Sequence, residues 1–222
     1  MEFAVLVAQG RVDLNDVLKK LAQRDEVTGL MARHGLDRAL ATQIALGQAD
    51  LERVLRRKRV DAELATHRDR DVLESAKAGG TELVLGLHGR QLVHARILET
   101  TPYELRYVDV EAKAEATVHK TRLKFAADAH AWQKARKAMT WDSARKARAV
   151  EPIVRPQDRY GCSNRRLGEA WDRKVEVTVT LLEGEVFVGL VGWVARWEFG
   201  LHTKGGDIAI FRHAIDDFVG DQ

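Results

Sequence analysis

The sequence predicts an α+β fold: an N-terminal helical module, then two small, bent, five-stranded β-barrels joined by a basic helical connector. Three observations carry this. Val177–Phe218 reads as short antiparallel strands, because apolar residues alternate through Val175, Val177, Val179 and Leu181 and glycine turns follow at Glu183-Gly184 and Gly205-Gly206. About five strands in so short a stretch suit a strongly bent barrel better than a sandwich. Residues 81–125 repeat the pattern more faintly, and residues 1–77 carry helical rather than strand periodicity.

Composition bounds the reading. A chain of 222 residues accommodates two or three small domains, and 45% hydrophobic with 31% charged residues is ordinary for a folded protein. One cysteine, Cys162, excludes a disulfide framework and fits a reducing compartment. No apolar run approaches the roughly 20 residues that span a bilayer. The apolar opening, residues 1–7, is short, carries Glu2 and lacks a basic start, so a signal peptide is not expected. The expected location is cytoplasmic, with no membrane partner.

The N-terminal module is residues 1–77. Asn15–Arg33 places Val17, Leu18, Leu21, Val27, Leu30 and Met31 at helical spacing, with Gly29 as a point of weakness and Gly35 as a C-cap. Asp37 caps a second helix, Arg38–Leu46, which Gly47 ends. A third runs from Ala49 to Arg59 and onward toward Ala76, with Arg53, Arg56, Arg57, Lys58 and Arg59 on its polar side. Short helices around a tight turn, with a basic last helix, allow a helix-turn-helix reading and therefore duplex DNA as a partner. A helical interaction or linker module fits the same residues.

The first barrel is residues 78–127, with its turn at His88-Gly89 and its closing strand at Val118-His119-Lys120-Thr121. The connector is residues 128–159. Ala126–Ala149 lacks Gly and Pro and predicts a helix, and Pro152 and Pro156 then impose extended chain. Residues 131–166 hold ten basic and three acidic residues, a local +7 in a chain of net +3. Such a stretch is the footprint of a polyanion partner. Trp132 and Trp141 within it either stack on bases or are buried against a barrel.

The second barrel is residues 160–222, opened by a short helix over Ser163–Trp171 with Ser163 or Asn164 as cap. The turns at Gly89 and Gly184 lie about 95 residues apart, and Lys120 and Arg212 about 92, which indicates an internal duplication.

A helix, a VTVTLLEG strand and turn, and a closing Phe211-Arg212-His213-Ala214 together resemble the Hfq branch of the Sm-like RNA-binding family. The resemblance covers residues 160–219, with 81–125 as support. It implies Sm-like barrels, bacterial origin, ring assembly by strand addition, and a pore-side groove for uridine-rich single-stranded RNA. In that groove it places Arg196, Trp197, Phe211, Arg212 and His213, with Lys120 as the first barrel's counterpart of Arg212. Arg173 and Lys174 match the basic rim, supplemented by Arg165 and Arg166 one to two turns earlier. Trp197 offers a flat π surface, Arg212 a fixed charge for phosphate, and His213 a hydrogen bond to a base edge, phosphate or ribose. Phe211 and Trp197 as barrel core, with His213 capping the strand, is the alternative. The resemblance does not extend to the opposite face, where Thr180 and Val186 replace an aromatic and a basic residue.

Catalytic motifs are missing: the chain has no P-loop, GxSxG, HExxH or paired-cysteine zinc pattern, and its eight histidines are scattered. Asp216-Asp217 near His213 reads as a solvated pair. The expectation is a non-enzymatic RNA chaperone or post-transcriptional regulator without cofactor or metal. It binds single-stranded RNA as a homo-oligomer, a trimer giving a pseudo-hexameric ring. A DNA-binding regulator that uses the barrels to oligomerise, and a scaffold without nucleic acid, are the alternatives.

Overall fold

The computed structural model describes residues 13–148 and 150–220; the opening, residues 1–7, and Ala149 lie outside them. The chain divides into two compact units, Met1–Arg59 and Val60–Gln222.

In the first unit, α1 (Leu14–His34) starts where Asp13 accepts a hydrogen bond from the Asn15 amide at 2.7 Å. It runs unbroken through Gly29 and ends at Gly35, whose positive φ of 57° lets its N–H return to the Met31 carbonyl at 2.9 Å. Asp37 caps α2 (Arg38–Ala45) through the Leu40 amide at 2.9 Å. The first turns of α3 (Leu51–His67) also belong here, and Leu51 and Val54 pack on a core of Val27, Leu30, Leu36 and Ala41. Lys58 donates to the Gly35 carbonyl at 2.8 Å, so one member of the basic helix face serves to hold the α1–α2 turn.

The helix expected to continue toward Ala76 stops at His67. Asp71 accepts from the amides of Leu73 and Glu74 and starts a new helix, α4 (Val72–Gly79).

The second unit holds β1 (Glu82–Leu87), β2 (Gln91–Thr100), β3 (Glu104–Asp109), β4 (Ala114–His119) and β5 (Leu123–Asp128). Next come α5 (Ala129–Ala138), β6 (Thr140–Trp141), α6 (Ser143–Lys146) and α7 (Asn164–Arg173). The chain then runs through β7 (Glu176–Leu181), β8 (Glu185–Val194), β9 (Glu198–Thr203), β10 (Gly206–Phe211) and β11 (Ile215–Gly220). Every pairing is antiparallel, in the order β11-β7-β8-β9-β10-β5-β1-β2-β3-β4, with β6 added on β8. The fold is therefore α+β, with one continuous eleven-stranded sheet that stays open at β11 and β4.

The duplication is visible in this path. The segments β5-β1-β2-β3-β4 and β11-β7-β8-β9-β10 have the same connectivity, each returning its fifth strand to its first. Bulges fall at Ile97/Glu99 in one and Val191/Trp193 in the other, where each long second strand must bend. The two segments meet edge to edge through β10 and β5, with Ile208 opposite Ala127 and Ile210 opposite Phe125.

The connector differs from the expected single helix. Ala126 and Ala127 belong to the β5 ladder, Asp128 caps α5 through the amides of His130 and Ala131, and Thr140-Trp141 pairs with Val186 and Glu185 on β8. Ladder bonds override alanine's helix preference, which is a weak prior. Trp132 is buried, its ring stacked on Phe125 at 5.1 Å, so it belongs to the core. Trp141 is partly exposed, with the Lys146 ammonium 4.5 Å above its ring.

Candidate nucleic-acid interface

The Phe211-Arg212-His213-Ala214 motif does not close the sheet. Phe211 ends β10, a 3-10 turn takes Arg212–Ala214, and β11 follows. The first segment repeats this with His119 at the end of β4 and a 3-10 turn over Lys120–Arg122. Matching backbone bonds fix the correspondence. The Arg212 amide donates to the Trp197 carbonyl at 2.9 Å as the Lys120 amide donates to Tyr103 at 2.7 Å. The Ala195 amide reaches the Glu198 carbonyl as the Thr101 amide reaches that of Glu104, both at 2.9 Å. Tyr103 is thus the counterpart of Trp197.

Both aromatics stand out from the fold: Trp197 is 63% and Tyr103 70% exposed. The Arg196 guanidinium lies 4.8 Å from the Trp197 ring, and His119 stacks on Tyr103 at 6.4 Å with 22° between the planes. A flat ring beside a cationic or imidazole group is a platform for an unpaired base and its phosphate. Tyr103 was missed in the sequence because the first segment looked divergent. Its spacing from Trp197, close to that between Lys120 and Arg212, is the signal that identifies it.

The other motif residues face inward. Phe211 is buried in the core of the first segment among Leu73, Leu85 and Leu105, so it joins the two halves. Arg212 donates to Asn164 Oδ1 at 2.7 Å, to the Ala195 and Arg196 carbonyls at 3.3 Å, and to the Cys162 carbonyl. Burial lowers its pKa from the usual value, yet a guanidinium stays charged. It clamps the α7 N-terminus to the β8–β9 turn. Along a wall of Arg68, Asn164, Ala195, Arg196 and Arg212 lies a cavity of about 560 Å³. His213 is mostly enclosed, and burial pushes its pKa down to about 4 against the raising effect of the Leu123 carbonyl. The ring is neutral at pH 7, and Nε2 donates to that carbonyl at 2.7 Å.

Lys120 lies at the margin of both halves. It pairs with Asp71 at 3.4 Å; Asp71 opens α4, and the Val72 amide donates to Glu198 at 2.7 Å. Glu198 directly follows Trp197, so Lys120, Asp71, Val72 and Glu198 link the two aromatic platforms. Burial raises the Glu198 pKa to about 8, partly opposed by the Val72 hydrogen bond.

No family model and no curated protein matches this chain. Among solved structures it is similar to the pleiotropic translational regulator Hfq, seen in a 1.55 Å crystal structure. The two are 25% identical, and the alignment covers 25% of this chain and 93% of that chain, with a TM-score of 0.25.

The remaining predicted residues are dispersed around α7. Arg165 pairs with Glu169 at 2.9 Å. Arg166 donates to the Tyr160 hydroxyl and the Phe218 carbonyl, each at 2.6 Å, and lies over both rings. Lys174 caps the far end of α7 with φ of 51°, about 15 Å along the helix from Asn164 at 1.5 Å per residue. The structure therefore gathers Arg196, Trp197 and Arg212, brings Lys120 near them through Glu198, and leaves Lys174 apart. Asp216 is not a solvated carboxylate: Arg145 pairs with it. Among the described residues, no cluster of His, Cys, Asp and Glu could hold a metal ion, and no helix is long and apolar enough to cross a membrane.

Proposed function

We propose that the second unit binds single-stranded RNA, using its two strand segments as a fused pair of Sm-like barrels, in the role of an RNA chaperone or post-transcriptional regulator. The carrying observation is the pair of exposed rings at equivalent positions, Trp197 beside Arg196 and Tyr103 beside His119. Bases stack on these rings, while Arg196, Lys120 and the basic residues of the connector meet phosphate. Arg212 and His213 act behind the platforms by fixing the turns that present them. Uridine-rich RNA is the favoured ligand by the resemblance of the Phe211–Ala214 motif.

Assembly follows from the seam. Within one chain, the fourth strand of the second segment (β10) pairs with the fifth of the first (β5). That leaves the fourth strand of the first segment (β4) and the fifth of the second (β11) at the two ends of the sheet. The same kind of pairing between chains, β4 of one with β11 of the next, closes a ring of three chains and six strand segments.

The test is fluorescence anisotropy of the intact protein with labelled U-rich RNA, A-rich RNA and duplex DNA at two salt concentrations. Preference for U-rich RNA, lost on Trp197→Ala together with Tyr103→Ala, supports the reading. Tighter binding to duplex DNA would move recognition to the α2–α3 helices. Failure to bind any of the three at low salt would overturn it.

A further inference from the structure

We propose that the cavity at the seam between the two strand segments, bounded by the His88–Arg90 turn, the Glu183 turn and the chain after α6, binds a phosphate monoester. It measures about 600 Å³, a volume suited to a small-molecule ligand.

Its charge is unbalanced. Arg90, Arg122, Lys146 and Arg148 line it, against Glu151 and Glu183. The Glu183 carboxylate is already engaged, because it accepts from the Gly89 amide at 2.9 Å, the Arg90 amide at 3.1 Å and the buried Lys124 ammonium, which it shares with Glu185. Burial raises its pKa, but these donors together pull it below the usual value, so the carboxylate is ionised. Arg90 reaches the Lys146 and Arg148 carbonyls, which ties down its guanidinium. Arg122, Lys146 and Arg148 make no ion pair with a carboxylate among the described residues. The wall therefore carries surplus positive charge.

The second observation is independent of charge. His88 lines the same cavity and is 2% exposed, and neither ring nitrogen makes a hydrogen bond of normal geometry, the Val150 backbone on the cavity wall being a weak partner. Such a group carries a desolvation cost that a partner removes. Burial also lowers the His88 pKa, so the imidazole presents one N–H donor and one acceptor. A phosphate monoester has nearly two negative charges and three acceptor oxygens at pH 7, enough to engage the His88 N–H and two cationic groups at once. A diester within an RNA strand offers one charge and two free oxygens and matches this wall less well.

The monoester can come from a free mononucleotide or from the 5′-phosphate of a strand, and the experiment separates these. Isothermal titration of the full chain with uridine monophosphate is expected to give saturable binding of one ligand per chain. Uridine is expected to give none. Arg122→Gln and Arg148→Gln change exposed side chains and are each expected to weaken binding about tenfold, since each removes a charge-assisted bond. The melting temperature should be unchanged, and the His88 ring ¹⁵N signals should shift on titration of the wild type. A 5′-phosphorylated oligonucleotide that binds more tightly than its 5′-hydroxyl form, with the excess lost in the double variant, assigns the site to strand ends. Saturable mononucleotide binding with no such excess assigns it to the free nucleotide. No saturable binding of uridine monophosphate or of the 5′-phosphate, or binding unchanged in the double variant, would falsify the proposal whatever the Trp197 and Tyr103 experiment shows.

Discussion

Arg212 and Trp197 lie on two sides of one turn and have different tasks. The Arg212 guanidinium has four oxygen partners on two chain segments, whereas among the described residues the Trp197 ring has Arg196 beside it. Trp197→Ala should therefore lower affinity for U-rich RNA by roughly 1–3 kcal/mol, about 5- to 150-fold, with no change in melting temperature. Arg212→Lys cannot reproduce the planar fork and should lower the melting temperature together with affinity. A comparison of binding with thermal melts separates the two. Glu198 and His213 bias stability in opposite directions. Glu198 titrates near 8 in the folded chain against an ordinary 4.5, so the fold holds a proton that the unfolded chain has released. Its contribution is full below 4.5 and is lost as pH rises to about 8. His213 titrates near 4 against an ordinary 6.5, so its contribution is full above 6.5 and is lost as pH falls to about 4. Melts from pH 4 to 9 should show a maximum between these limits, and Glu198→Gln should remove the decline on the alkaline side. A decline that survives in Glu198→Gln would refute the assignment.

At the scale of elements, local chemistry decided what was legible. The aspartate cap at Asp37, the serine cap at Ser163 and the glycine stop at Gly35 act where residue type alone places them. The alternation that predicts strands likewise falls on β7 through β10. The connector was not legible, because β6 exists only through Val186 and Glu185, more than forty residues away. The role of Arg212 and His213 was also hidden, since their partners Cys162, Asn164 and Leu123 are distant in sequence. Gly168 illustrates the conflict between local and tertiary rules. Inside a helix, Gly→Ala normally stabilises by about 1 kcal/mol. Here a Cβ would fall 2.2 Å from Cγ1 of Val60, a β-branched side chain with little freedom to move. Gly168→Ala should instead destabilise by about 1–3 kcal/mol, as overpacking does, and urea unfolding measures the sign.

At the scale of the whole molecule, the repeat was readable from the turn spacing, because glycine turns and basic residues survive in both segments. Their fusion into one sheet was not, because edge pairing between β10 and β5 leaves no local mark in either sequence. The ring proposed above predicts a solution mass near three times the 24.9 kDa of one chain at micromolar concentration. Thr117→Lys charges the β4 edge and is expected to yield monomers in analytical ultracentrifugation. The β10–β5 seam has a further consequence. Its two surfaces arrive on the same polypeptide, so their encounter depends on tether length and not on how much protein is present. Dilution therefore cannot separate them. Nor must one surface be the copy of another that it would be in a ring of identical single units. Lys124 can stand opposite Glu183 and Glu185 without any need for the same three residues at the other end of the sheet. In the proposed ring, a fused pair would have one permanent joint and one concentration-dependent joint, and each would be free to acquire its own chemistry.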